Sequence, residues 1–111
     1  MTRKNTLSLS KVDFSSLAWE QMAPGARCKS VIRNGRKLRL VEFRRQHEET
    51  EWCTKEHIGM VLSGEVEIEF AHRVERYRAR DGIFILGGEA EKHIARVVTY
   101  MVRMVLVERA D

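Results

Sequence analysis

Four side chains in this sequence have the chemistry of metal donors and stand at spacings a β-fold can gather: Glu51, Cys53, His57 and His93. Carboxylate, thiolate and imidazole all bind transition metals directly. Residues on a strand alternate between faces, so Glu51 and Cys53 share one face while Trp52 points away. After the polar bend Thr54-Lys55-Glu56, His57, Gly59 and Val61 share a face, and His93 leads another strand-like run, Ile94-Ala95-Arg96-Val97-Val98. If both imidazoles look into one hollow, Gly59 and Ala95, each two residues further on, look there too and leave room for a ligand. Four protein donors would make a zinc site structural; three leave a position for water or substrate. A thiolate favours zinc, copper or nickel over manganese, while His57, His93 and Glu51 would give the two-histidine, one-carboxylate pattern of iron. The expected cofactor is therefore a divalent transition metal: zinc, nickel, iron or copper. His47, in a polar loop, and His72, in a turn, are the weaker histidine candidates.

These residues need a scaffold, and the flanking sequence reads as strands. Trp19-Glu20-Gln21-Met22 suits a short edge strand, and Pro24-Gly25 a type II turn. Cys28 to Arg33 and Lys37 to Phe43 flank Asn34-Gly35, the residue pair of a type I′ hairpin. Gly64 marks a second expected hairpin. After it, Val66, Ile68 and Phe70 alternate with Glu65, Glu67 and Glu69, a half-buried strand whose glutamates are expected to face Arg76 and Arg78 across a ribbon. Ile83 to Leu86 is wholly apolar and is expected to be buried on both sides. Val97 to Val107 reads as one long strand, apolar on both faces except at Arg103. No stretch of ten residues carries a helical period. Many short strands separated by glycine turns predict an all-β sandwich or barrel.

The arrangement resembles the cupin superfamily. Val61-Leu62-Ser63-Gly64-Glu65 looks like the end of the first cupin motif. Counting back from Gly64, His57 falls in the slot of the family's glutamate, and Glu51 and Cys53 fall in its two histidine slots. In the second motif Gly82 matches, Gly88 stands in the proline slot, Ala90 in the glycine slot, His93 in the histidine slot and Val97 in the asparagine slot. The likeness spans residues 38–106, with identities at Gly64, Gly82 and His93. It implies a double-sheet β-barrel of jelly-roll type, a metal at Glu51, Cys53, His57 and His93, an activity of isomerase or dioxygenase kind, and pairing of barrels into homodimers through their sheets.

The chain has 111 residues, 43% of them apolar, enough for one core. Residues 1–12 are polar and read as a tail; residues 13–111 read as one barrel domain. Twenty Lys and Arg against sixteen acids give a net charge of +4, mixed along the chain rather than gathered in a stripe, so nucleic acid is not an expected partner. No apolar run approaches a membrane span, and the basic N-terminus has no apolar stretch behind it, so a cytoplasmic protein is expected. Two cysteines, Cys28 and Cys53, make no disulfide framework. The functional expectation is a barrel holding a divalent metal, a small molecule, or both. The alternatives are a metal-free binding or sensor domain for an anionic or sugar-like ligand, and a dimerisation module.

Overall fold

A computed structural model describes residues 10–110, so most of the expected tail lies outside the described residues. Nine strands follow in order: β1 (Glu20–Ala23), β2 (Ala26–Arg33), β3 (Arg36–Arg44), β4 (His57–Ser63), β5 (Val66–Phe70), β6 (Val74–Tyr77), β7 (Gly82–Ile85), β8 (His93–Val97) and β9 (Met101–Arg109). They form two antiparallel sheets. One has six strands in the order β1-β2-β3-β9-β4-β7, the other three in the order β6-β5-β8. The architecture is the expected all-β double-sheet barrel. Its core lies between the sheets, where Val41, Val61, Val66 and Val102 are fully buried. Each such side chain contributes about 1.5–3 kcal/mol through apolar burial.

Local chemistry explains most turns. Asn34 (φ 50°) and Gly35 (φ 75°) both adopt the left-handed region that a type I′ turn needs, and β2 and β3 pair in unbroken register from Arg33↔Arg36 to Ala26↔Phe43. Gly25 has φ 77°, as the second central residue of a type II turn requires. The glutamate row meets its arginines. Glu67 and Arg76 are cross-strand partners 2.9 Å apart, and Glu65 lies 3.7 Å from both Arg76 and Arg78.

Three expectations are corrected. Gly64 closes no hairpin: β4 belongs to the larger sheet and β5 to the smaller, so the segment is a corner between sheets. Its φ is 78°, and a Cβ there would lie 2.0 Å from the Met101 carbonyl oxygen, so only glycine lets the chain cross at this point. A corner and a hairpin share one sequence signature, two apolar runs around Ser-Gly. Ile83 to Leu86 is not buried on both sides. It alternates: Ile83 and Ile85 are 2% exposed, Phe84 71% and Leu86 49%, because β7 is an edge strand with one face inward. The long strand from Val97 is two strands, β8 and β9, in different sheets, broken at Val98-Thr99-Tyr100.

The outer face of the larger sheet is divided. At one end the N-terminal segment covers it. Trp19 stacks on Arg27 at 4.1 Å, Lys29 donates to the Phe14 carbonyl at 2.8 Å, and the buried Glu42 binds Arg27 and Arg103. At the other end the register Phe84↔Ile58↔Val107↔Leu38↔Val31 lays an apolar row across five strands.

Candidate functional site

Cys53 lies in the loop before β4, yet it is held as firmly as a strand residue. Its N–H donates to the His93 carbonyl at 2.8 Å, and the His93 N–H donates back to the Cys53 carbonyl at 3.0 Å. This isolated bridge sets the thiol beside the first residue of β8. His57, the first residue of β4, enters from the larger sheet with its Nε2 3.5 Å from Cys53 Sγ. The two imidazoles meet edge to face with centroids 5.0 Å apart. One donor atom from each of Cys53, His57 and His93 lies within 4.8 Å of the others.

Both rings are fixed by Nδ1. His57 Nδ1–H donates to Glu108 Oε2 at 2.6 Å, and His93 Nδ1–H donates to the Glu91 carbonyl at 3.0 Å. Each Nε2 is left for the centre of the cluster, the outer hydrogen bonding by which metal-binding histidines are oriented. Glu108 is held in turn by Arg39, whose Nη2 donates to the same Oε2 at 2.6 Å. Hydrogen bonds from His57 and His93 pull the Cys53 thiol down to about 6, against the opposing effect of burial. Burial would lower His57, but its bonds to Cys53 and Glu108 outweigh that and raise it to about 9. Burial would raise Glu108, but His57 and Arg39 hold it down to about 2. His93 is raised as well, its bonds to Cys53 and the Glu91 carbonyl overcoming burial. Without a metal, these opposite shifts favour a thiolate–imidazolium pair between Cys53 Sγ and His57 Nε2, 3.5 Å apart.

The cluster opens on a cavity of about 300 Å³ between the sheets, walled by Phe43, Ile68, Ile83, Ile85, Met104 and Leu106. Ala95 lines it, as expected from its alternation with His93. Gly59 does not. Its missing side chain faces β9, where a Cβ would lie 1.8 Å from the Val105 carbonyl oxygen, so this glycine allows close strand approach rather than ligand space. Glu51 is also corrected. Residues 51–56 form no strand, so the alternation that paired Glu51 with Cys53 does not operate, and Glu51 lies exposed in an outer groove that Cys53 also borders, without joining the donor cluster. His47 packs 4.6 Å from the Phe43 ring and stands 3.6 Å from Glu49, whose other oxygen accepts from the Ala95 N–H at 2.9 Å. His72 is exposed in the turn after β5.

Glu108, Arg39 and Glu49 are the site residues sequence reasoning passed over. Two of them carried a signal. Val102, Met104, Leu106 and Glu108 share the inward face of β9, and Arg39, Val41 and Phe43 share that of β3. A charge at an inward slot on each of two paired strands marks a buried ion pair. Glu49, in the loop, had no such pattern behind it.

Among the described residues no helix is long and apolar enough to cross a membrane. No protein-family model and no curated protein matches the chain. Solved structures do. KdgF from Halomonas sp. superposes with a TM-score of 0.71 at 20% identity over 87% of this chain and 90% of that one. The polyketide cyclase RemF from Streptomyces resistomycificus gives 0.76 at 18% identity over 94% and 81%. An RmlC-like cupin from Shewanella frigidimarina gives 0.72 at 12% identity over 94% and 95%. The strand order, the two sheets and these superpositions together make the fold of this chain the cupin fold.

Proposed function

We propose that this chain holds one divalent transition metal through Cys53 Sγ, His57 Nε2 and His93 Nε2 and binds a small molecule beside it in the cavity. One observation carries the reading: three soft or borderline donors from three segments converge within 4.8 Å, with both imidazoles locked by Nδ1. The donor set fits the group. A thiolate with two neutral imidazoles suits zinc, and copper, nickel or iron after it, and three protein donors leave a position open to the cavity. An ion so held would act as a Lewis acid on an oxygen of the bound molecule. The chain's own residues set the rest. Glu108 and Arg39 hold the His57 tautomer, the Cys53–His93 bridge fixes the thiol, and Ile68, Ile83 and Ile85 give the cavity an apolar wall. This is the arrangement of a metal-dependent enzyme acting on a small molecule, and a cytoplasmic location, where thiols stay reduced, suits its free cysteine. Elemental analysis of protein purified without a metal-affinity step is the test. One equivalent of metal, lost in His57→Ala and His93→Ala, is expected. Metal content unchanged in both variants overturns the reading.

A specific observation favours a second reading, a metal-free binding domain: Cys53 Sγ and His57 Nε2 lie 3.5 Å apart, close enough for a thiolate and an imidazolium to neutralise each other without an ion. Absence of metal after supplementation with zinc would select it. Self-association is proposed as well, through the exposed outer apolar row. Strand β9 is flanked by β3 and β4, so it can meet a second copy only by its outer face, beside the 71%-exposed Phe84. Light scattering after gel filtration tests this, and a strict monomer at micromolar concentration overturns it.

A further inference from the structure

The cavity wall carries information about its ligand. Eight of the fourteen residues lining it are apolar, and none is Ser, Thr, Asn or Gln. A sugar or polyol bound there could pair its hydroxyls only with the charged and imidazole side chains, and each hydroxyl set against the apolar wall would cost about 1–3 kcal/mol. Two cations border the same space, Arg39 and Lys55. Among the described residues Lys55 has no ion-pair partner, and Arg39, which gives Nη2 to Glu108, has no partner for its buried Nε. The opposing carboxylate, Glu49, is already engaged by the Ala95 N–H and by His47. A volume of about 300 Å³ admits on the order of ten non-hydrogen atoms at roughly 30 Å³ each.

We infer that the ligand is a small amphipathic monocarboxylate, its carboxylate at the end of the cavity where Arg39 and Lys55 stand and its hydrocarbon tail against Ile68, Ile83 and Ile85. The inference names the ligand class of the site proposed above and rests on that reading for the site's location only. It decides between the anionic and sugar-like ligands that the sequence left open.

The probes are the straight-chain acids from acetate to decanoate, the matching primary alcohols, and glucose, titrated calorimetrically into zinc-loaded and zinc-stripped protein. Affinity of the acids is expected to rise about fourfold per methylene until the cavity is full, then fall. The alcohols should bind more weakly than the acids of equal length. Lys55→Gln should weaken the acids about three- to fivefold and leave the alcohols unchanged. Ile83→Ala should move the optimum to longer acids. A flat chain-length series, equal binding of acids and alcohols, or preferential binding of glucose overturns the inference. Chain-length selection in a protein that takes up no zinc would uphold the ligand class while the metal reading fails. Zinc binding without chain-length selection would do the reverse.

Discussion

The sharpest test of the site lies at Glu108, which touches neither cavity ligand nor metal. Its Oε2 accepts two charge-assisted hydrogen bonds at 2.6 Å, from His57 Nδ1 and Arg39 Nη2, and its side chain is only 9% exposed. Bonds of that kind contribute about 1.5–3 kcal/mol each. Glu108→Gln keeps the shape and one neutral acceptor, recovering about 1 kcal/mol, but removes the charge that balances the mostly buried Arg39. The net loss in metal-free protein is about 2–5 kcal/mol, a large part of the stability of a small domain and equivalent to roughly 10 °C or more in Tm. The second consequence is separable from the first. With the carboxylate gone, the His57 ring is less firmly oriented and its Nε2 less basic, so zinc affinity should fall about 10- to 100-fold. Urea unfolding of the stripped protein reads the stability loss. Zinc affinity is read by chelator competition at a temperature where both proteins are folded. A folded Glu108→Gln variant that binds zinc within twofold of the parent would refute the claim that Glu108 positions a metal-binding histidine. Rescue by Glu108→Asp, which restores the charge on a shorter arm, would support it.

Other outcomes follow from the same coordinates. In stripped protein Cys53 should be alkylated by iodoacetamide with a midpoint near pH 6 rather than 9, while the buried Cys28 stays unreactive, as peptide mapping would show. His57, raised from 6.5 to about 9, contributes stability present below pH 6.5 and lost as pH rises through 9. Cys53, lowered from 9.0 to about 6, contributes stability present above pH 9 and lost as pH falls through 6. The two slopes oppose, so stripped protein should show nearly constant stability from pH 6.5 to 9, and Cys53→Ser, which removes the rising slope but leaves Glu108 to raise His57, should expose a shallow decline above pH 6.5 in urea titrations. Glu108, held down to about 2 from 4.5, adds stability that is lost as pH falls from 4.5 through 2. Gly59→Ala places a Cβ 1.8 Å from a β9 carbonyl and should cost about 3 kcal/mol or more. Gly35→Ala, left-handed but with nothing within 4 Å, should cost about 1 kcal/mol, so the two Tm values should separate clearly. Phe84→Glu should shift any dimer to monomer in light scattering without lowering Tm, since its ring is 71% exposed.

How far the sequence reached depended on whether a residue sat in a regular strand. Cys53, His57 and His93 were legible because motif spacing ties them to Gly64 and Gly82, and the structure gathers all three. Asn34-Gly35 was legible because its φ requirement is local. Glu51 is misplaced by period-two alternation because it sits in a loop whose ladder contacts are two isolated bridges, Glu48–Arg96 and Cys53–His93. Gly64 was read as a hairpin because nothing local distinguishes strands that pair with each other from strands that part into two sheets. Phe84 and Leu86 look like core in the sequence because an apolar run cannot reveal that one face of its strand is left uncovered. At Gly59 the absent side chain leaves no space, because the neighbouring backbone of β9 fills it.

The position of the Arg39–Glu108 pair joins site to scaffold. Arg39 is on β3 and Glu108 on β9, adjacent central strands that pair from Arg36↔Arg109 to Arg44↔Met101. Further along that interface the inward face is apolar, Val41 against Met104 and Phe43 against Val102. A buried ion pair there is no gain over two well-packed aliphatic residues, because desolvation offsets most of the Coulombic attraction. Stability alone therefore does not explain why the inward stripe gives way to charge on both strands at diagonal positions, Arg39 opposite Leu106 and Glu108 opposite Lys37. Orientation of His57 does. Double replacement Arg39→Met with Glu108→Leu separates the two accounts. In urea it should recover the part of the Glu108→Gln loss that comes from the unpaired Arg39 charge, remaining below the parent by the lost His57–Glu108 bond, about 1.5–3 kcal/mol, while zinc affinity falls at least tenfold. Unchanged zinc affinity in that double variant would make the pair a piece of scaffold and leave His57 fixed by Cys53 alone.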